Sequence, residues 1–345
     1  MIPTLIGISI LVFSLIHLAP GDPTAFLVSG EASGAGSAQD NLDAKVKKFE
    51  EQFLLDRSLP VQYLNYIGPF NLGKHGAEMF GGDGTDVFGG VLAGDLGTEF
   101  RRPTVSISSE LWRRLQVTTP LALASVLFSY LIAIPIGIFS AVRRGTRLEI
   151  GSTVTLFLLY AVPSFWAALM LQLGFGANGW FDFMKLPVIG LYDKEFDTFT
   201  TGQKIWDVLK HSVLPVFCMS YGSFAYLSRQ MRVGMIDVIS QDYIRTARAK
   251  GLSERVVVLK HALRNSVIPI LTLLASILPI LIGGSIIIEH VFDIPGMGKY
   301  AFQGLVGREY NIIMATTLFS ALMTVVGILL SDLTYALVDP RIRYD

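Results

Sequence analysis

The side chains of this chain with the clearest capacity for chemistry are the basic ones between positions 229 and 264, and their chemistry is charge pairing. The arginine-bearing stretch Gln241–Lys250 predicts a short helix, and Gly251 suits the left-handed residue that ends one. A second helix is predicted to start at Ser253 as its N-cap. Two short helices joined at a glycine form a rigid projection that can transmit force to a partner. Composition alone favours a plainer reading, a basic loop that only fixes membrane orientation.

Sequence patterns for catalysis or nucleotide binding are missing from the printed sequence. No Gly-x-x-x-x-Gly-Lys-Ser/Thr motif occurs, and the nearest fragment, Gly298-Lys299-Tyr300, lacks the earlier glycine and the hydroxyl. The histidines are scattered without an HExxH pattern, and the single cysteine, Cys218, excludes an internal disulfide or a cysteine-based zinc site. We therefore expect no enzyme activity, no metal site and no cofactor bound by this chain.

Composition indicates a membrane protein. The 345 residues are 51% hydrophobic and 16% charged, whereas soluble domains contain about 25% charged residues. The first apolar segment is expected to be retained rather than cleaved as a signal peptide. A membrane-spanning helix needs about 20 mostly apolar residues. The six predicted spans are Ile2–Ala19, Thr118–Val142, Ile150–Phe175, Val213–Leu227, Val267–Ile288 and Ile312–Leu337.

Orientation follows from the positive-inside rule. The links between spans two and three and between spans four and five are rich in arginine and lysine, so both are predicted to be cytoplasmic, as are both termini. The loop between spans three and four is rich in acids, as expected outside. The basic residues of the longer link are Arg229, Arg232, Arg245, Arg248, Lys250, Arg255, Lys260 and Arg264.

The predicted fold is therefore an all-α membrane protein with about six transmembrane helices, a large extracytoplasmic segment after the first, and a cytoplasmic loop of two short helices. The predicted regions are a first helix over 1–20, an extracytoplasmic segment over 21–112, a five-helix core over 113–338 that contains the basic loop 229–264, and a cytoplasmic tail over 339–345. Within the outer segment, an amphipathic helix is predicted over Leu42–Leu55, and the Gly-rich run Gly73–Gly97 is predicted to hold a flexible insertion.

The basic loop resembles the coupling-loop motif of binding-protein-dependent ABC importer permeases. Ala247, Gly251 and Leu263 fit the general consensus, while Arg245 stands where that consensus has glutamate. The full stretch resembles the dipeptide/oligopeptide permease branch of the family. The residues that carry this likeness are Asp242, Tyr243, Arg245, Thr246, Ala247, Arg248, Ala249, Lys250, Gly251, Leu252, His261, Leu263 and Arg264.

Further landmarks extend the resemblance over nearly the whole chain. The stretch from His17 to Pro23 resembles the B-type subunit of that branch, and Asp339–Arg343 resembles its carboxyl end. An extracytoplasmic re-entrant turn is implied near residues 289–298. Its residues are Glu289, Phe292, Asp293, Pro295, Gly296 and Gly298, of which Glu289 and Asp293 are candidates to contact the amino terminus of a passing peptide.

The resemblance implies a multi-pass protein of the plasma (inner) membrane. Its partners would be a homologous C-type permease, two ABC ATPase subunits that use ATP and Mg, an extracytoplasmic substrate-binding protein and membrane lipid, without nucleic acid. The helix Gln241–Lys250 would dock into an ATPase groove, where its arginines would pair with acids and Ala247 and Ala249 would allow close contact. Polar groups in or near spans, at His17, Gln172 and Asp332, favour structural roles over pathway roles.

Other functions predict other features. Within the same family the substrate could be an oligosaccharide or nickel instead of a small peptide. An ion-coupled secondary transporter predicts inverted repeats and paired discontinuous helices, and an intramembrane enzyme or channel predicts a clustered catalytic set or a ring of charges. The sequence displays none of these patterns.

Overall fold

The computed structural model describes residues 2–19, 24, 45–51, 55–68, 70–71, 78–79, 90–176, 178–184, 186–270 and 284–338, with backbone alone for 70–71, 78–79, 182 and 330–338. Helices dominate this part of the chain. They are α1 (Ile2–Leu18), α2 (45–51), α3 (Leu59–Ile67), α4 (Ile107–Val142), α5 (Arg147–Ala161), α6 (Ser164–Phe175), α7 (Thr201–Ile239), α8 (Asp242–Ala249), α9 (Glu254–Val256), α10 (Leu263–Ser266), α11 (Ile286–Val291), α12 (Met297–Gly307) and α13 (Tyr310–Val338).

Short elements complete the described chain. A π-helix, Val257–Ala262, joins α9 to α10, and single 3-10 turns lie at Val91–Ala93, Asp182–Met184 and Phe196–Thr198. The all-α prediction missed one feature, a two-residue antiparallel ladder that pairs β1 (Phe70–Asn71) with β2 (Glu78–Met79). The rest of the predicted Gly-rich insertion, 72–77 and 80–89, lies outside the described residues.

Two described helices are long and apolar enough to cross a membrane, namely α4 and residues Tyr310–Leu329 of α13, or three spans if α5 and α6 count as one. The apolar helix α1, with 17 residues, falls just short of that length. Residues 271–283, which contain most of predicted span five, lie outside the described residues. The count of six spans stays a prediction.

The third predicted span is broken into two helices. The chain bends by 94° between α5 and α6. Val162 is extended, with φ −76° and ψ 121°, as expected for a residue before a proline, and Pro163 occupies the N-cap of α6. The carbonyl oxygen of Val162 accepts a hydrogen bond from the Tyr221 hydroxyl at 2.7 Å, which fixes the bend.

The fourth predicted span, Val213–Leu227, was placed too narrowly. It is the middle of α7, a single helix of 39 residues. Pro215 lies in the interior of α7, and Thr200 and Gln203 form a capping box at the beginning of this helix. Helix α4 likewise begins at Ile107, well before the predicted Thr118.

The chain divides into two compact units. The first comprises residues 1–115 and 300–322. Its core contains Phe13 of α1, Tyr66 of α3, and Met314 and Leu318 of α13. The predicted amphipathic helix is confirmed over 45–51, where buried Phe49 packs edge-to-face on Phe100 with ring centroids 5.3 Å apart.

The second unit comprises residues 116–299 and 323–345. Helices α4 and α7 approach closely within it because Gly137 has no side chain: a Cβ built there would lie 2.5 Å from Cβ of Met231 and 2.6 Å from the carbonyl oxygen of Ser228. Gly151 on α5, in contrast, has open space around it.

Gly137→Ala should therefore destabilise the protein by about 1–3 kcal/mol, since the new methyl group must displace helix backbone. The matched control, Gly151→Ala, should be neutral or stabilising by about 0.5–1 kcal/mol because alanine favours helix. The unfolding temperature of each variant in detergent, monitored by size-exclusion chromatography, checks both expectations. Equal unfolding temperatures for the two variants would contradict the close α4–α7 contact.

Candidate functional site

The predicted pair of basic helices is confirmed. Helix α8 spans Asp242–Ala249, Gly251 follows it with φ +80°, and Ser253 holds the N-cap position of α9. The positive φ requires glycine for an unstrained turn. We call the segment 241–256 the elbow.

One face of α8 is built into the protein. Ile244 is fully buried and Ala247 is 8% exposed, and both belong to a core that contains Met231 and Met235 of α7. The π-helix adds Val257, Val258 and Ala262 to the same core. The expectation that Ala247 offers close contact to a partner is corrected: it faces the core of its own chain.

The opposite face of α8 is open. Asp242, Arg245, Thr246 and Ala249 are exposed at the i, i+3, i+4 and i+7 spacing of one helix face. Leu252 stays 40% exposed just beyond the turn. An exposed leucine that follows a helix with an exposed arginine suits a protein-binding surface.

Polar contacts stiffen the elbow. The Arg248 guanidinium donates to both carboxylate oxygens of Glu254, from Nε at 3.0 Å and from Nη2 at 2.7 Å. This bidentate bond lowers the pKa of Glu254 and raises that of Arg248. Asn265 donates through Nδ2 to the Tyr243 hydroxyl at 2.8 Å. The remaining predicted residues of this set, Lys250 and Arg264, are exposed, while His261 and Leu263 are partly buried.

A cavity of about 600 Å³ lies in the same unit, between residues of α4, α5, α6, α7 and α11. We call it the hydroxyl cavity because, among the described residues that line it, eight carry a hydroxyl group and none is charged. Those eight are Ser125, Ser129, Tyr130, Tyr160, Ser164, Tyr221, Ser223 and Ser285.

Several of these hydroxyls already use their hydrogen on the backbone. Ser125 donates to the carbonyl of Leu121 at 2.8 Å, and Tyr130 donates to that of Ile270 at 3.0 Å. Tyr221 donates at the α5–α6 bend as described above. A hydroxyl that donates its hydrogen keeps oxygen lone pairs, so the cavity offers acceptors to a ligand that carries N–H groups. Sequence reasoning did not identify this cavity.

The predicted re-entrant turn is a closed hydrogen-bonded unit. Glu289 is 2% exposed, and its carboxylate accepts from the Thr118 hydroxyl at 3.0 Å and from the backbone N–H of Lys299 at 2.9 Å. The Thr118 oxygen accepts in turn from the N–H of Met297 at 2.8 Å. A Cβ on Gly296 would lie 2.5 Å from Cδ of Glu289, which explains the glycine.

These contacts leave little of Glu289 for a passing peptide. Phe292 is 1% exposed, and Gly298 packs so tightly that a Cβ would meet the backbone of Ile286 at 2.6 Å. Asp293, with φ +56°, is exposed and forms an ion pair with Lys299. Pro295, the remaining residue of this predicted set, lies within the same turn.

Two of the three polar groups predicted near spans have structural partners. Gln172 donates to the carbonyl oxygens of Val188 at 3.0 Å and Val291 at 2.7 Å. His17 contacts the carbonyl oxygen of Phe13 at 2.9 Å and the Gln62 side chain at 3.0 Å. The Asp332 side chain lies outside the described residues.

The first unit holds a polar cluster that sequence reasoning missed. Glu99 is 2% exposed, binds Arg102 through two hydrogen bonds and accepts from the Tyr300 hydroxyl at 2.9 Å. Glu309 accepts from the backbone N–H groups of Phe100 and Arg101, and burial raises the pKa of its carboxyl. These contacts join segments about 200 residues apart, a separation at which sequence carries no local signal.

Comparison with known proteins agrees with the resemblance found in the sequence. The family described as "Binding-protein-dependent transport system inner membrane component" matches residues 133–344, more than half of the chain. The chain is 37% identical over 344 residues to "Oligopeptide transport system permease protein AppB" of Bacillus subtilis (strain 168), covering 99% of this chain and 96% of that protein.

Two further likenesses extend this result. "Dipeptide transport system permease protein DppB" of Escherichia coli (strain K12) is 30% identical, with 99% of this chain and 96% of that protein covered. Among solved structures, a chain of the MetNI methionine ABC transporter in an inward-facing conformation matches with a TM-score of 0.51 at 18% identity, over 67% of this chain and 96% of that one; this likeness shows a shared fold alone.

Three observations indicate the same kind of protein: the helical architecture, the apolar spans and the matches over nearly the full length. The chain is thus a membrane-embedded transport subunit rather than an enzyme, and it belongs to the family of inner-membrane permease components of binding-protein-dependent ABC importers.

Proposed function

We propose that this chain is one of two membrane-spanning subunits of an ATP-driven importer of small peptides. The observation that carries the mechanism is the elbow, which places Ile244 and Ala247 in a buried core shared with α7 and is open on its other face. The peptide substrate is proposed because relatives covering nearly the whole chain are named as oligopeptide and dipeptide permeases. The companions would be a homologous C-type permease, two ATPase subunits that use ATP and Mg, and an extracytoplasmic binding protein.

The outer face of α8 is the proposed docking surface for an ATPase subunit. Arg245 stands out from it, with 73% of its side chain exposed, and can pair with acids of the partner. Ala249 is small and exposed on the same face, so a partner can approach the helix closely. In the proposed topology, the elbow and both termini lie in the cytoplasm and residues 21–112 lie outside.

Force would reach the pathway through α7. The buried face of α8 shares a core with the π-helix and with Met231 and Met235 near the end of α7. Helix α7 is continuous and also lines the hydroxyl cavity with Cys218 and Tyr221. A displacement of the elbow must therefore move or tilt a wall of the cavity, since close-packed side chains transmit strain.

The hydroxyl cavity is the proposed contribution of this chain to the pathway. Its volume of about 600 Å³ suits a small organic ligand. Its hydroxyl oxygens can accept from peptide N–H groups without reading the side chains. An uncharged lining also avoids trapping a charged peptide, as conduction requires.

Uptake in proteoliposomes tests the function. The chain co-expressed with its genomic neighbours should import a labelled peptide with ATP, and the chain alone should not. Ala249→Trp on the open face should lower uptake and peptide-stimulated ATP hydrolysis by at least about tenfold, with little change in unfolding temperature, because a bulky ring blocks close docking.

The matched variant Ala247→Trp should instead lower the unfolding temperature, since it overpacks the core. Full activity of Ala249→Trp would contradict the docking surface. Uptake by the chain alone under an ion gradient would show that it is a secondary carrier. Uptake of an oligosaccharide or nickel, without uptake of peptide, would contradict the proposed peptide substrate.

Cysteine labelling tests the cavity. Cys218 is the only cysteine, so Ser223→Cys in a Cys218→Ala background carries a single thiol in the cavity. A transported tripeptide should slow maleimide labelling there, whereas its backbone N-methylated analogue should not, because it lacks N–H donors.

The control position is Thr155→Cys in the same background, exposed on α5 and outside the cavity lining. Its labelling should not respond to either compound. Equal protection of Ser223→Cys by both compounds would contradict recognition through N–H groups.

A further inference from the structure

A second cavity, of about 390 Å³, lies between α5 and α7 beside the carboxyl-terminal part of α4. It shares no lining residue with the hydroxyl cavity, and we call it the arginine cavity. Its lining residues are Ser140, Glu149, Thr153, Leu156, Phe157, Ala225, Ser228, Arg229 and Arg232.

The arginine cavity carries excess positive charge. Arg229 and Arg232 lie one helical turn apart on α7. Glu149 is the one acid among the lining residues that the structure describes. Both oxygens of that carboxylate are occupied: one binds Nη2 of Arg232 at 2.5 Å, and the other accepts from the backbone N–H of Gly145 at 2.6 Å. Glu149 can therefore neutralise one guanidinium and leaves the charge of Arg229 uncompensated within the cavity.

One donor in the arginine cavity is buried without an acceptor. Nε of Arg232 has no hydrogen-bond partner in the part of the chain that the structure describes. A buried guanidinium N–H without an acceptor is unfavourable, and the planar fork of arginine matches the oxygens of a phosphate group. Because Nε has almost no accessible surface, a phosphate oxygen satisfies this donor only once the Arg232 side chain turns toward the cavity. Arg229 can then bind a second oxygen of the same group.

An apolar surface borders the cavity on one side. Phe157 is 51% exposed on the rim, and Val154 and Leu158, its neighbours along α5, are 51% and 65% exposed. In a membrane subunit such a face meets acyl chains, whereas a free phosphate ion would make no use of it. A basic cavity beside an exposed apolar face suits a ligand with an anionic head and apolar tails.

We propose that the arginine cavity binds the phosphodiester headgroup of an anionic phospholipid, with Arg229 and Arg232 on the phosphate and an acyl chain along Phe157 and the outer face of α5. Basic pockets between transmembrane helices bind such headgroups for the same physical reasons. The lipid would join α5 to the helix that carries the elbow. The site is independent of the identity of the transported substrate.

Native mass spectrometry tests the proposal on the chain with its co-purified subunits, exchanged into detergent with defined lipid. Phosphatidylglycerol should bind about five- to tenfold more tightly than phosphatidylcholine. Arg229→Gln, which leaves the Arg232–Glu149 pair intact, should reduce the preference to near equality. Arg232→Lys keeps the positive charge but removes the planar guanidinium group. It should also weaken the preference for phosphatidylglycerol.

Arg113→Gln on α4 is the matched control, since it removes an exposed arginine outside both the cavity and the elbow, and it should keep the full preference. Unfolding temperatures of the lipid-free variants verify folding. Equal binding of the two lipids to the unsubstituted protein, or an unchanged preference in Arg229→Gln, would overturn the proposal. Full displacement of phosphatidylglycerol by millimolar inorganic phosphate would assign the cavity to free anions instead.

Discussion

The buried core contact that joins Ile244 and Ala247 of α8, by way of the π-helix, to Met231 and Met235 of α7 is the one on which the proposed mechanism depends. It is apolar, buried and continuous with the core that the π-helix and α4 complete. Because such cores are close-packed, they act as a mechanical joint. Without this contact, the exposed arginines of the elbow would form a basic loop that fixes orientation and nothing more. With it, a force on the elbow must act on α7, which also lines the hydroxyl cavity.

Two other constraints hold this unit in shape. The bend at Val162-Pro163 is fixed by Tyr221 of α7, so α7 supports the bent pair as well as the elbow. The buried carboxylate of Glu289 is held by Thr118 and by the backbone of the following turn. Both devices satisfy polar groups internally, which a membrane protein requires because lipid offers no hydrogen bonds.

Local sequence signals predicted the elbow well. Gly251 marked the left-handed turn, Ser253 marked the next helix start, and helical spacing within the outer segment predicted the short helix around Phe49. These features depend on residues a few positions apart, where propensity and capping act. The family likeness was carried in part by the same stretch.

Long-range features could not be predicted in this way. The partner of Glu289 is Thr118, 171 residues away, and a threonine at the start of an apolar run carries no sign of that bond. Ala247 was expected on the face of α8 that contacts a partner. Its small size suits close contact with a partner and with the core of its own chain alike, so size alone could not decide between them. The 94° bend at Pro163 has no distinct sequence signal, because membrane helices often tolerate proline without so sharp a break. The arginine cavity was equally hidden, since Glu149 and Arg232 lie on different helices.

The central claim is that the elbow and α7 move as one body. Spin labels at Arg255→Cys on α9 and Leu209→Cys in the amino-terminal half of α7, in a Cys218→Ala background, would report the distance between the elbow and this helix in the assembled complex. We predict the same distance distribution without nucleotide and with ATP trapped, while the accessibility of Ser223→Cys in the cavity changes between those states. A distance that shifts on ATP binding while the cavity stays unchanged would show that the elbow moves separately from α7, and would contradict this mechanism.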